Sequence, residues 1–302
     1  MLKFENETDC KTKSENRSVN MSKIAIVTDS TADIPRELIE KNNIKVVPLY
    51  VNFEDASYVD DGVSITNQQL YEKLRNVKVL PKTAQPTPND FMQAYKDVLK
   101  DNDSIISIHI SKKMSGTIDS AEMAKKELAG EDIVIIDSEV VHMPLGVVLL
   151  KAAELAGEGK SKEEIIEAID KLKQQMTILF IPRNLKYLIM GGRIGRARGL
   201  IASILEINPI LTLHLGEVSQ YKTTRRWNQA KNELIESMRS LIKNPGNLMI
   251  IVSDSDAKDE GAEMTERLRK EFNPKQIMRA TIGAVVGIHL GPDSIAVTFY
   301  EE

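Results

Sequence analysis

From Lys23 onward, short apolar runs alternate with helix-length segments, and this alternation constrains the fold more than any other feature of the chain. The runs at 24–27, 46–51, 104–110 and 133–136 are short and bounded by turn residues, as buried strands are. Between them Thr66 opens a helix to Val77, the breakers Pro86 and Pro88 precede another at 89–100, and a third spans 115–129. Two more fit 145–156 and 162–175, and Asp33 or Thr31 caps a helix with Pro35 in its first turn, where a missing N–H costs nothing. Strands separated by such helices predict βαβ units and a largely parallel sheet covered on both faces.

The second half is patterned differently. A strand at 177–181, a short helix at 184–190 and a helical stretch at 200–205 precede a hairpin, 210–214 and 217–221, turning at Leu215-Gly216. A long helix at 226–242 ends in Asn244-Pro245-Gly246, followed by a strand at 248–252, a helix at 258–272 and terminal strands at 276–282 and 295–300. Adjacent hairpin and edge strands predict a mixed sheet. The expected division is an α/β domain at 22–158 and a mixed-sheet α/β domain at 159–302, parted near Gly157-Glu158-Gly159. Residues 1–21 are polar and read as a disordered extension that carries Cys10, with Met21 an alternative start.

Composition excludes several functions. Forty basic against 44 acidic residues give a net charge of −4, without the basic stripe of a nucleic-acid binder. Aromatics at 5% leave few platforms for stacking bases. One cysteine in 302 residues excludes a disulfide framework and suits a reducing cytoplasm. No apolar run approaches the roughly 18 residues that cross a bilayer. His109, His142, His214 and His289 lie far apart without metal-ligand spacing, although an oxygen-only site stays open. Neither a Walker loop nor a strand-bound Gly-x-Gly-x-x-Gly is present.

What remains is small polar residues, glycine turns and a few charged groups. Asp-Ser follows an apolar strand three times, at Asp29-Ser30, Asp137-Ser138 and Asp254-Ser255. Capping accounts for the second and third; only the first is read as opening onto a ligand cleft. Ser115-Gly116-Thr117 opens a helix and is either a simple cap or a neutral receptor for a carboxylate or phosphate. Gly191-Gly192-Arg193 is either a flexible surface turn or a site where the glycines allow close backbone approach and Arg193 suits an anion. His289-Leu290-Gly291-Pro292 reads as a fixed turn holding an imidazole.

Together these segments resemble the DegV family of fatty-acid-binding proteins, from Lys23 to the C-terminus. The resemblance rests on Thr28-Asp29-Ser30-Thr31-Ala32-Asp33-Ile34, Thr83-Ala84-Gln85-Pro86, Ser115-Gly116-Thr117, Leu188-Ile189-Met190-Gly191-Gly192-Arg193-Ile194, Asn208-Pro209-Ile210-Leu211 and His289-Leu290-Gly291-Pro292. Each motif alone is weak; six in order are specific. The resemblance implies a two-domain α/β fold with a long-chain fatty acid between the domains, and no cofactor. It also implies a lipid carrier rather than an enzyme, presenting the carboxylate to a separate ATP-dependent fatty acid kinase. The acyl phosphate so formed would serve phospholipid synthesis. The carboxylate falls to Thr83, Ser115, His289 and Arg193, with Ser30, Gly116, Thr117 and Gly192 supporting the pocket. Arg225 and Arg226 fall near basic residues implicated in kinase docking, and loading implies transient membrane contact.

The chain departs from the family pattern at Ala84, Ile118, His142-Met143-Pro144 and Asp293. Asp293 would set a negative charge near the carboxylate unless it points away. Two alternatives stand beside the carrier: a serine hydrolase using Ser115 or Ser30 with His289, and a binder of another small anionic metabolite. Neither a Gly-x-Ser-x-Gly elbow nor a complete triad supports the first.

Overall fold

The computed structural model describes residues 23–203 and 207–302. The extension at 1–21, with Cys10, and the end of the helical stretch at 200–205 lie outside the described residues. The first half runs β1 (Ile24–Asp29), α1 (Arg36–Lys41), β2 (Lys45–Val47), β3 (Tyr50–Asn52), β4 (Ser57–Val59), α2 (Asn67–Asn76) and β5 (Lys82–Ala84). It continues with α3 (Pro88–Val98), β6 (Ser104–His109), α4 (Thr117–Glu127), β7 (Ile133–Asp137), α5 (Met143–Gly157) and α6 (Lys162–Gln175).

Strands β2-β1-β6-β7 form a wholly parallel sheet. Every residue of β6 is buried, as a strand covered on both faces must be. The two-residue period sorts its neighbours: Ile26, Ile106 and Ile108 join one core cluster with α5, while Ala25, Val27 and Ile105 join another with Phe91 of α3 and Ala121 of α4.

The strand expected at 46–51 is two strands. Pro48 lacks a ladder donor, so β2 stays in the parallel sheet while β3 turns away to pair antiparallel with β4 and β5. The start of α1 also differs from the sequence reading. Asp29 caps a 3₁₀ turn at Ser30–Ala32, and Pro35 occupies the N-cap of α1 without a side-chain cap.

The second half runs β8 (Thr177–Ile181), α7 (Lys186–Met190), a 3₁₀ stretch, β9 (Asn208–His214), β10 (Glu217–Thr224), α8 (Trp227–Leu241) and β11 (Leu248–Ser255). Then follow α9 (Lys258–Phe272), β12 (Gln276–Thr281), α10 (Ala284–Leu290) and β13 (Ser294–Glu301). The sheet order β10-β9-β8-β13-β11-β12 is mixed, with only β11 and β12 parallel. β13, the last strand, lies centrally between β8 and β11. α10 is a helix that the pattern does not announce, because Ala284-Val285-Val286-Gly287-Ile288 is rich in β-branched residues and glycine. It is held by packing: Val285 and Ile288 share a cluster with Leu70, Tyr71 and Leu74 of α2.

The largest core cluster mixes both halves, joining Ile108 and Leu149 to Phe180, Leu188 and Leu211. α6 packs along α5, so a division after residue 158 parts α6 from the helix it lies on.

Candidate functional site

Where the two halves meet lies a partly open cavity of about 110 Å³, lined by residues of both. Its wall is hydrocarbon from both halves, including Leu49, Ile110, Phe180, Leu213 and Val285. Pairs two apart in a strand, Ile178 with Phe180 on β8 and Ala296 with Thr298 on β13, place alternate side chains on it. Polar groups enter from Thr83, Ser115, His142, Arg193, His289 and Thr298.

Four of these are the residues expected to hold a carboxylate. Thr83 stands on β5, and His289, at the end of α10 rather than in a turn, reaches it: Thr83 Oγ1 and His289 Nε2 lie 2.9 Å apart. His289 Nδ1 is buried without a protein partner. Burial, then the nearby Arg193 charge, pushes the imidazole down to about 4, so it is neutral at pH 7. A side chain at Gly191 would collide with this ring, which gives the glycine its purpose. Gly192, with φ +72°, makes the turn possible but does not line the cavity.

Ser115 precedes α4, whose N-cap is Gly116. Its Oγ lies 2.8 Å from Thr117 Oγ1 and accepts from Thr117 N at 3.3 Å. Thr117 is buried behind it. A Cβ on Gly116 would strike Gln85, whose Nε2 donates to Ser120 Oγ at 3.0 Å. Gly116 therefore lets the loop after β5 close onto the start of α4. Arg193 spans the halves, donating from Nε to Met114 O at 3.1 Å and from Nη1 to Gly191 O at 2.6 Å. Burial lowers its pKa, and much of its donor fork serves backbone carbonyls, leaving the cavity mainly its charge.

Ser30 is elsewhere. It donates to Asp60 Oδ2 at 2.6 Å, accepts from Leu49 N at 3.0 Å, and lines a separate cleft with Asp33, Asp60 and Arg279. Asp137 and Asp254, read from sequence as helix caps, accept from the nearby Glu139 N at 2.9 Å and Ala257 N at 3.0 Å. Neither is the N-cap of the helix that follows it, and Asp254 also lines the cleft with Ser30. Asp29, read as opening onto the ligand cleft, instead accepts from His109 Nδ1 at 3.0 Å and Ile110 N at 3.0 Å. Asp29 is also among the residues around the separate cleft with Ser30, though its side chain is fully buried. Asp293 points away from the cavity and pairs with Arg75 at 2.7 Å. Arg225 and Arg226 are exposed, with Arg226 at the N-cap of α8.

A serine–histidine–aspartate chain does exist, at residues that sequence reasoning passed over. Tyr95 Oη lies 2.8 Å from Ser107 Oγ, which lies 2.6 Å from His109 Nε2, while His109 Nδ1 faces Asp29. The carboxylate only accepts, so the order of donation is Tyr95 to Ser107 to His109. Ser107 and His109 are fully buried on one face of β6 and line neither cavity. The arrangement ties β1 to β6 and offers no nucleophile to a substrate.

Comparison with known proteins agrees with this architecture. The family model described as an uncharacterised protein of the DegV family matches residues 23–302. The chain belongs to the DegV family. A DegV domain-containing protein of Caldanaerobacter subterraneus is 36% identical over 282 residues, covering 93% of this chain and all of the relative. Among solved DegV structures, a fatty-acid-binding protein of Thermus thermophilus superposes with a TM-score of 0.87 at 32% identity, covering 93% of this chain and 100% of its own. The fatty-acid-binding DegV of Bacillus subtilis gives 0.86 at 30% identity, with the same coverage. A stearic-acid-binding protein of Eubacterium ventriosum gives 0.84 at 26% identity, over 92% of this chain and 98% of its own. Among the described residues no helix is long and apolar enough to cross a membrane, and no cluster of His, Cys, Asp and Glu could hold a metal.

Proposed function

We propose that this DegV chain binds a long-chain fatty acid in the cavity between its halves and presents it to a separate ATP-dependent kinase. The observation that carries the reading is an apolar cavity whose wall brings Thr83, Ser115, Arg193 and His289 together from four separate segments. Its similarity to fatty-acid-binding DegV structures supports the same ligand.

The physics is consistent. About 15 methylenes at roughly 0.8 kcal/mol each contribute on the order of 12 kcal/mol of gross transfer energy, much of it offset by ordering and association. The carboxylate must gain donors as it leaves water. Thr83 and Ser115 supply hydroxyls, and a neutral His289 that donates from Nε2 to Thr83 Oγ1 frees the Thr83 proton for the carboxylate. Arg193 supplies the balancing charge. Such a protein is a carrier in the cytoplasm that touches the membrane briefly to load.

The hydrolase reading lacks a carboxylate beside His289, whose Nδ1 has no protein partner. A small polar anion would leave the hydrocarbon wall unused. Native mass spectrometry of the purified chain tests the ligand: a co-purified mass of a long-chain acid is expected, and a phosphorylated metabolite in its place would overturn the reading. Kinase docking is tested at α8, where Arg226→Glu is expected to reduce acyl-phosphate formation at least tenfold, about 1.4 kcal/mol, with bound lipid unchanged. Loss of lipid in that variant would place Arg226 in the binding site instead.

A further inference from the structure

His142 lines the cavity but shares no hydrogen bond with the four carboxylate-binding residues. Its side chain is only 7% exposed, and Nε2 is buried without a partner in the protein. From behind, Nδ1 donates to Asp33 Oδ2 at 2.5 Å, and the same oxygen accepts from Gly283 N at 3.0 Å. The ring is thus fixed by a carboxylate that is itself anchored to the other half. Its backbone, with φ 65° and ψ −152°, is held by a bond from His142 N to Thr31 O at 2.8 Å. Val141, Pro144 and Ile110 line the same cavity as His142.

We propose that His142 Nε2 receives a hydroxyl carried on the hydrocarbon chain of the ligand, so that the cavity favours monohydroxy long-chain acids over plain ones. The inference rests on the acyl reading of the cavity and names its ligand class. With the Nδ1 proton given to Asp33, a neutral ring presents a lone pair at Nε2 and needs an O–H donor. A protonated ring presents N–H and needs an oxygen acceptor. A hydroxyl satisfies both states; a keto oxygen satisfies one, and a methylene neither. Thr298, buried on β13 in the wall from the other half, adds a second hydroxyl outside the carboxylate cluster.

The test uses the full chain stripped of lipid, with a fluorescent fatty acid displaced by octadecanoic acid or by monohydroxy-octadecanoic acids differing in hydroxyl position. One narrow range of positions is expected to bind about fivefold tighter than octadecanoic acid, with weaker binding elsewhere, where a hydroxyl is buried unmatched. His142→Phe is expected to erase that preference, so that the variant binds the favoured hydroxy acid no tighter than it binds octadecanoic acid. A preference that survives His142→Phe, or a scan in which no position improves on octadecanoic acid, overturns the inference and leaves the acyl reading intact. Failure of octadecanoic acid itself to bind would sink the acyl reading instead. Should His142→Phe not fold, imidazole nitrogen NMR of the wild type decides: the Nε2 resonance must move with the favoured hydroxy acid and not with octadecanoic acid.

Discussion

Thr83 and Ser115 each bring a hydroxyl to a wall that is otherwise mostly hydrocarbon, so each should matter more to the ligand than to the fold. Thr83→Ala or Ser115→Ala is expected to weaken fatty-acid binding about tenfold, the worth of one hydrogen bond to a charged group. Melting temperatures should move little; equal losses in binding and stability would assign the hydroxyls to folding. His289 carries a pH signature of its own. Its pKa falls from 6.5 to about 4 in the native state. Between those values the unfolded chain takes up a proton that the native one refuses, so stability falls as pH drops through that window and is indifferent to His289 above it. The contribution is at most about 3 kcal/mol. In the lipid-free protein His289→Gln should flatten this part of the stability curve, measured by urea unfolding at each pH. The residues themselves were legible in the sequence as motif members. That His289 would touch Thr83, 206 positions away, was not, since no local pattern encodes a contact across so much chain.

At the scale of elements, the clearest signals were local ones. Thr66 with Gln69, Thr87 with Asp90 and Ser161 with Glu164 all form capping boxes, and the helices they open begin close to where the sequence placed them. α10 and the short strands β4 and β5 escaped detection, and β3 was merged with β2, because tertiary contacts, not intrinsic preference, hold them. The loop after β4 carries another such contact. Asp60 is pushed up to about 7 by burial and then by Asp33, while the Ser30 hydroxyl pulls the other way. Here the native state holds a proton that the unfolded chain has released, so stability falls as pH rises from about 4 to about 7. Asp60→Asn should remove that decline, its stabilising effect growing from little at the acid end to its full value above neutrality. Thermal melts across the range would read it, and an effect that is constant with pH would contradict the assignment.

Across the whole molecule, the halves are joined by buried bonds and a surface clamp around the cavity. Tyr71 Oη donates to Ile282 O at 2.8 Å, Ser111 Oγ to Gly216 O at 2.8 Å, and Arg75 bridges Asp256 and Asp293. The cavity is space that the core leaves unfilled, so filling it should trade ligand for packing. Ala296→Phe is expected to cut bound lipid severalfold while leaving the melting temperature of the lipid-free protein unchanged or raised, by up to the roughly 1–2 kcal/mol of a filled void. Retention of full lipid content would show that β13 does not face the ligand.

By itself the sequence determined the α/β class, the parallel sheet of the first half, the mixed sheet of the second, and the order of the polar motifs. Periodicity, caps and turn residues act over a few positions, and those features need no more. The tertiary structure alone decided that Pro48 diverts a strand and that Ser30 faces a different cleft from Ser115. It likewise turned Asp293 outward to Arg75 and set a bare His142 nitrogen into the apolar wall. Each of these depends on which residues from distant parts of the chain arrive at the same place, and burial and hydrogen bonding select that arrangement only when the halves close on one another.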